Sequence, residues 1–426
     1  MTAGQSSFLD DRAVPAPDGD EVMRRLDDLA RFSSDQGALT RLFLTTEHRQ
    51  AIDQVETWMR EAGMATHVDD VGNLVGRSAG LDAGMPTLLL GSHIDTVRNA
   101  GKYDGNLGVI VAIQAVQRLR EEGGDPPFAI EVIAFGDEEG VRFPVTLNGA
   151  RAVAGRFDSA VLDVCDADGV SLRRALTEFG CDPEGIPGIR RDPAAVLGYV
   201  EVHIEQGPVL EERDLPVGIV TAISGASRFT ITIDGVAGHA GTVPMNLRRD
   251  ACTAAAEMIL AVERVASMRR DVVATVGRIA IAPSAVNVIA SRAEFSLDLR
   301  SPSDEARHAA MRDLKRAFEA IAAYRNVQST IVAFYEEDAA VCSPAIVAAL
   351  EKSVAAQGIA PLRLPSGAGH DGLAIANLCP FGMLFLRCAG GISHNPAEAV
   401  EAADVQVAVD VLVDFLRNAN PESFRP

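Results

Sequence analysis

Basic residues are in deficit: 39 Lys and Arg face 59 Asp and Glu, a formal net charge of −20. An acidic surface of that kind repels a phosphate backbone and an anionic membrane alike, so neither is expected as a partner. Cysteine is sparse as well. Cys165, Cys181, Cys252, Cys342, Cys379 and Cys388 contain no Cys-x-x-Cys pair and are too few to staple a chain of this size, which leaves reduced, mostly buried thiols. No window approaches about 20 uninterrupted apolar residues, and the stretch Met1 to Asp11 lacks a basic segment leading into an apolar one. The expectation is a cytoplasmic protein.

What is present is enough for two cores, since 426 residues with 47% hydrophobic content can fill more than one. Residues 19–63 carry helical periodicity and read as covering helices. From Ala65 to Phe135 strand and helix patterns alternate, with the apolar run Pro86 to Gly91 as a buried strand and the run from Leu107 as a buried helix. This βαβ order predicts an α/β protein with a doubly wound mixed sheet. The polar stretch Asp158 to Pro193 reads as a surface wrap, and Tyr199 to Glu205 returns as an alternating strand. Around Leu215-Pro216 the texture changes. Ser227 to Gly235, Arg249 to Met268, Val272 to Ile281, Glu294 to Arg300 and Asp304 to Tyr324 spell β, α, β, β, α, a two-layer α+β unit inserted into the larger domain. The boundaries expected are 1–215 and 330–426 for the two parts of the larger domain and 216–329 for the insertion, with Thr330 to Phe334 re-entering the larger domain.

Only eight histidines are present. His48, His67 and His308 read as solvated. The other five, His93, His203, His239, His370 and His394, stand in glycine-rich or strand-end contexts beside carboxylates. His93-Ile-Asp95 leaves a strand at its C-terminal end, where open α/β sheets place their chemistry, and a glycine-rich loop brings Asp104 back. Asp137-Glu138-Glu139 leaves another strand. Three adjacent carboxylates form either a solvated acidic turn or a group neutralised by a cation, and the strand-end placement favours the cation. A single histidine more often bonds the backbone. Together, His93, Asp104, Glu139, His203 and His394 supply mixed nitrogen and oxygen donors suited to two divalent ions such as Zn or Mn, with Co or Ni as alternatives. Such a pair activates water and polarises a carbonyl. Arg300 can clamp a carboxylate or simply pair with Asp298, and the run Ser366 to Gly372 can receive an anionic or polar group on its backbone N–H groups. That run is not a nucleotide loop, because no Gly-Lys-Ser/Thr follows and no Gly-x-Gly-x-x-Gly opens a helix.

These residues, with Gly238-His239-Ala-Gly-Thr-Val-Pro-Met245, Asn287, Gly367-Ala-Gly-His370-Asp371 and Ser393-His394, resemble the dinuclear-metal amidases of the hydantoinase/carbamoylase family, in order from about residue 20 to about residue 415. The resemblance implies His93 and His203 on one ion, Asp104 bridging, and Glu139 and His394 on the second. It implies Glu138 as general base and Asp95 as the residue orienting His93. The insertion becomes a lid and dimerisation domain whose His239, a catalytic residue, reaches a neighbouring subunit's substrate and steadies the tetrahedral oxyanion, so a homodimer is implied. Gln206, Asn287, Arg300, Gly367 and His370 become substrate-binding residues for a small ureido compound bearing a carboxylate. Peptidase branches of the wider superfamily carry a carboxylate where this chain has His203, which favours the ureido-hydrolysing branch. Val141 after Gly140 resembles allantoate amidohydrolases more than carbamoylases, where serine is commoner. Allantoate is therefore the first substrate expected, with an N-carbamoyl-L-amino acid or β-ureidopropionate next. A dipeptidase and a non-catalytic binding protein are the rivals from outside that class. The chain departs from the family at Gly149-Ala150, where Gly-Ser is usual.

Overall fold

The computed structural model describes residues 17–78, 85–124 and 126–424. The reading of Met1 to Asp11 as leaderless lies outside them. Strand β1 (Met64–Val68), β2 (Leu74–Ser78), β3 (Thr87–His93), β4 (Ala129–Phe135), β5 (Val196–Ile204) and β6 (Val217–Ile223) open the larger sheet. A second unit follows with β7 (Gly225–Asp234), β8 (Gly238–His239), β9 (Val273–Thr275), β10 (Ile279–Ala282), β11 (Val288–Ile289), β12 (Arg292–Ser301) and β13 (Gln328–Glu337). The chain then returns through β14 (Ala340–Val341), β15 (Arg363–Ser366) and β16 (Phe381–Leu386).

The larger sheet has the order β1-β2-β4-β3-β5-β16-β6-β14, with β15 beside β6. Its centre is parallel, β4 with β3, β3 with β5 and β5 with β16, and antiparallel strands flank it. Parallel strands buried on both faces need apolar residues at successive positions, which is why Leu88-Leu89-Leu90 is a continuous run. Helix α1 (Asp18–Leu29), α2 (Thr46–Glu61) and α3 (Asn106–Glu121) cover the sheet with the helix Ala402–Asn418. Helix α3 is apolar almost all round because it packs on β3, β4 and β5 and under α1 and the Ala402–Asn418 helix. Gly108 permits that approach, since a Cβ there would stand 2.0 Å from the carbonyl oxygen of Val202.

The second unit is an antiparallel five-stranded sheet, β10-β12-β7-β13 with β9 on β12, covered by the helices Ala251–Ser267 and Asp304–Arg325. Ile231, Phe295, Leu297 and Phe318 centre a core of its own, separate from that of the larger sheet. Strands β8 and β11 form a small ribbon apart from both sheets. Among the described residues no helix is long and apolar enough to cross a membrane.

Four readings of the sequence are corrected. Thr330 to Phe334 does not re-enter the larger sheet: β13 pairs with β7 in register Ile331 to Ile231, so the unit runs β-α-β-β-β-α-β and extends to Glu337, while β6 belongs to the larger sheet. A strand's local pattern is the same whichever sheet accepts its edge. Val272 to Ile281 splits into β9 and β10, both on β12. The stretch Asp158 to Pro193 is no mere wrap, because Leu162, Leu172, Leu176, Ile186 and Ile189 enter the larger core. His48 is fully buried between Phe43 and Phe179, its Nδ1 accepting the Leu44 N–H at 3.2 Å.

Candidate metal centre

The parallel strands deliver their side chains to one edge. His93 is the last residue of β3, His203 lies one residue before the end of β5, and the turn after β4 carries Glu138 and Glu139. Asp104 reaches the same point from the loop before α3. Gly105 beneath it has φ 65°, a left-handed conformation that glycine adopts without strain, and a Cβ there would meet the His93 ring at 2.4 Å.

Two backbone carbonyls set the imidazoles. The Nδ1 of His93 lies 2.9 Å from the Asp95 carbonyl oxygen, and that of His203 lies 3.0 Å from the carbonyl of Ile204. A carbonyl only accepts, so in the neutral rings both Nδ1 atoms carry the hydrogen and both Nε2 lone pairs face Asp104. Asp104 Oδ1 stands 3.2 Å from His203 Nε2 and 3.6 Å from His93 Nε2. Its Oδ2 stands 3.1 Å from His394 Nε2, which is 3.8 Å from Glu139 Oε1. One carboxylate thus joins two donor sets, His93 with His203 on one side and Glu139 with His394 on the other, each compact enough to hold an ion. Glu139 Oε1 is buried with no hydrogen-bond partner. Oriented lone pairs and an orphaned carboxylate oxygen are the donor chemistry that divalent cations take, so the residues fit a pair of them.

The electrostatics agree with the geometry. Burial alone would raise Asp104, but His203, His394 and His93 hold it well below the usual carboxylate range. Burial and then the neighbouring Asp104 push Glu139 up to about 7. Glu138, whose Oε2 is 3.9 Å from His93 Nε2, is raised well above its ordinary value, first by desolvation and further by Glu139, Asp371 and Asp95 against the pull of His93. A carboxyl raised in this way is a stronger proton acceptor than an ordinary carboxylate, which suits a general base.

Asp95 differs from its sequence reading. It meets His93 through its carbonyl, while its carboxylate, 3.8 Å from the ring, accepts the N–H groups of Glu138 and Glu139 at 3.2 and 3.3 Å. Asp137, at φ 64°, makes the turn that aims those two N–H groups back. Gln206 donates to Asp104 Oδ2 at 2.8 Å. Around these groups opens a cleft of about 940 Å³ that extends to the second unit, where Arg228, Arg300 and Tyr335 line it opposite Gly367. Arg300 is held by both oxygens of Asp298 and donates to the Gly367 carbonyl at 2.8 Å.

Three predicted substrate residues are not brought to this cleft. His370 is buried, 2.8 Å from Ser366 Oγ and edge-on to His203 with ring centroids 4.4 Å apart. His239, in β8, and Asn287, the residue before β11, are exposed and neither lines the cleft. Ala150, where the family has a hydroxyl, is fully buried and lines no part of the cleft. Sequence reasoning also missed residues. Buried Arg41 donates to the carbonyls of Ile94 and Leu29 and to Asn106, and Glu398 accepts from the Asp104 turn. Neither lies in a local spacing that marks a site.

Residues 89–418 match the Peptidase family M20/M25/M40. An N-carbamoyl-L-amino acid amidohydrolase of Geobacillus stearothermophilus is 43% identical over 395 residues, covering 92% of this chain and 97% of its own. An allantoate deiminase of Arabidopsis thaliana is 41% identical over 431 residues, covering 94% and 82%. The crystal structure of a hydantoinase/carbamoylase family amidase from Burkholderia multivorans superposes with a TM-score of 0.89 at 30% identity, over 95% of this chain and 98% of that one. With the fold, the strand-end donor set and these likenesses in agreement, the chain belongs to the M20/M25/M40 peptidase family, in its hydantoinase/carbamoylase branch, and is an amidohydrolase.

Proposed function

We propose that the protein hydrolyses the ureido C–N bond of a small carboxylate-bearing substrate, with allantoate the first choice, releasing ammonia and a carbamate that breaks down to carbon dioxide. The observation that carries this reading is the convergence of three imidazoles on Asp104 with Glu138 and Glu139 at the same cleft. His93, Asp104 and His203 would hold one divalent ion and Asp104, Glu139 and His394 the other, manganese or zinc first, cobalt or nickel next. Such a pair, when bound, supplies Lewis-acid polarisation of the ureido carbonyl and a water ionised near neutral pH.

The chain's own groups do the rest. Glu138 takes the proton from the attacking water and delivers it to the leaving nitrogen, which must depart as an amine rather than an amide anion. Asp95 keeps Glu138 and Glu139 in place through their N–H groups. Arg300, already oriented by Asp298, offers the substrate carboxylate its remaining N–H donors at the seam between the two units. His239 and Asn287, exposed on their ribbon, suit contact with the cleft of a second copy, which supports a homodimer in which one subunit completes the other's site.

The choice of allantoate rests on Val141 following Gly140. The 43% identical relative, an N-carbamoyl-L-amino acid amidohydrolase, favours the second reading. Ammonia release by protein reconstituted with manganese or zinc, measured on allantoate, a panel of N-carbamoyl amino acids and dipeptides, separates them. Turnover of the ureido compounds with none of the peptides is expected, and the reverse pattern would sink the proposal. Glu138→Gln should lower kcat by about 10²–10⁴-fold with metal content intact. An unchanged rate would remove Glu138 from the proton transfer.

A further inference from the structure

His394 is the least restrained of the five candidate ligands. Its side chain is 50% exposed, no strand or helix carries it, and it has φ 55° in a loop where Gly390 and Gly391 are also left-handed. A histidine held in that conformation needs support from its surroundings. Three side chains tie its loop to the Asp104 turn, the first being Gln206, whose amide nitrogen donates to Asp104 Oδ2 at 2.8 Å and to Ser393 Oγ at 3.2 Å. Ser393 Oγ lies 2.9 Å from Asp104 Oδ2 and 2.9 Å from Glu398 Oε2. The other oxygen of Glu398 accepts the N–H groups of Tyr103 and Asp104 at 2.8 and 3.1 Å. A turn closed by the Glu398 N–H on the Asn395 carbonyl, 3.0 Å, brings this carboxylate back under the loop. Glu398 is 5% exposed, and Gly101 lies flat against it, since a Cβ there would come within 2.4 Å of its Cβ and Oε1.

We infer that Glu398 is a positioning residue that fixes the separation of His394 from Asp104, and so governs the ion held by Asp104, Glu139 and His394 far more than its neighbour. This rests on the two-ion reading above. The asymmetry follows from how the other ligands are held. His93 and His203 sit on central strands with their rings set by backbone carbonyls, and neither touches Glu398. The first donor set thus depends on Glu398 only through the shared Asp104, whereas the second depends on it for both Asp104 and the His394 loop. Partners that orient a ligand in this way alter metal affinity by about 10–100-fold when removed.

The test is calorimetric titration of chelator-treated full-length protein with manganese(II), together with metal content after desalting. Wild type should bind two ions. Glu398→Ala and Gly101→Ala, which remove the carboxylate or displace it, should bind one ion as wild type does and the second about 10–100-fold more weakly. Glu398→Gln, which retains an oxygen for the two N–H groups and an N–H for Ser393, should restore the second site. Two unchanged sites in Glu398→Ala would overturn the inference, as would equal weakening of both sites with a lower melting midpoint of the ion-free protein. A wild type that binds no divalent ion would instead remove the two-ion reading itself.

Discussion

His48 shows how one side chain outside the donor set can set a pH limit on the fold. Burial first, then the guanidinium groups of Arg41 and Arg49, push it from 6.5 down to about 3. Above pH 6.5 it is neutral whether the chain is folded or not, and stability is unaffected. As the pH falls toward 3 the unfolded chain takes up a proton that the folded chain refuses. Stability then drops by up to about 1.4 kcal/mol per pH unit from this group alone. His48→Gln should flatten the acid limb of stability between pH 6.5 and 4 in urea melts, and an unaltered limb would assign it to other groups. The same residue marks a limit of reading from sequence. Nothing in Thr46-Glu47-His48-Arg49 distinguishes a solvated histidine from one sealed between two phenylalanines, because Phe179 arrives from 131 positions away. Residues with a strand end or a glycine loop beside them, His93, Asp104, Glu138 and Glu139, were legible for the opposite reason, since their neighbours in sequence are also their scaffold.

At the scale of elements, α3 and the central strands decide where the donors meet. Helix α3 lies against β5 through Gly108, two residues after Asn106, whose side-chain N–H bonds the Asp104 carbonyl at 3.0 Å. Alanine at position 108 would gain about 1 kcal/mol of helix propensity. The 2.0 Å approach to the Val202 oxygen outweighs it, because the helix must lift from the sheet beside His203. Gly108→Ala should therefore lower stability by a net of about 1–3 kcal/mol and weaken ion binding at the His93 and His203 side. A more stable variant with unchanged ion binding would show that the contact is not tight. Periodicity identified this helix and its strands correctly. It could not place β13, whose partner β7 is contributed by residues about a hundred positions earlier.

Two cores share the whole molecule, and few side chains bridge the cleft between them. Arg300 reaches the Gly367 carbonyl, and Arg151 pairs with Glu337 at 3.0 Å with both side chains about a third exposed. A pair so exposed contributes about 0–1 kcal/mol. All five candidate ligands belong to the larger unit. Calorimetry of chelator-treated protein should therefore show two overlapping unfolding transitions, and manganese should raise that of the larger unit alone. A single two-state transition that moves as a whole would show the cores to be coupled.

The sequence by itself determined the α/β order and marked the five candidate donors, because apolar period and strand-end chemistry are written in adjacent residues. Tertiary structure decided which donors face one another, that Asp95 anchors a turn with its carboxylate, that His370 lies behind His203, and that His239 and Asn287 stand outside their own cleft. Those outcomes depend on which distant segment occupies the neighbouring volume. Packing settles that only when the whole chain has closed around its cores.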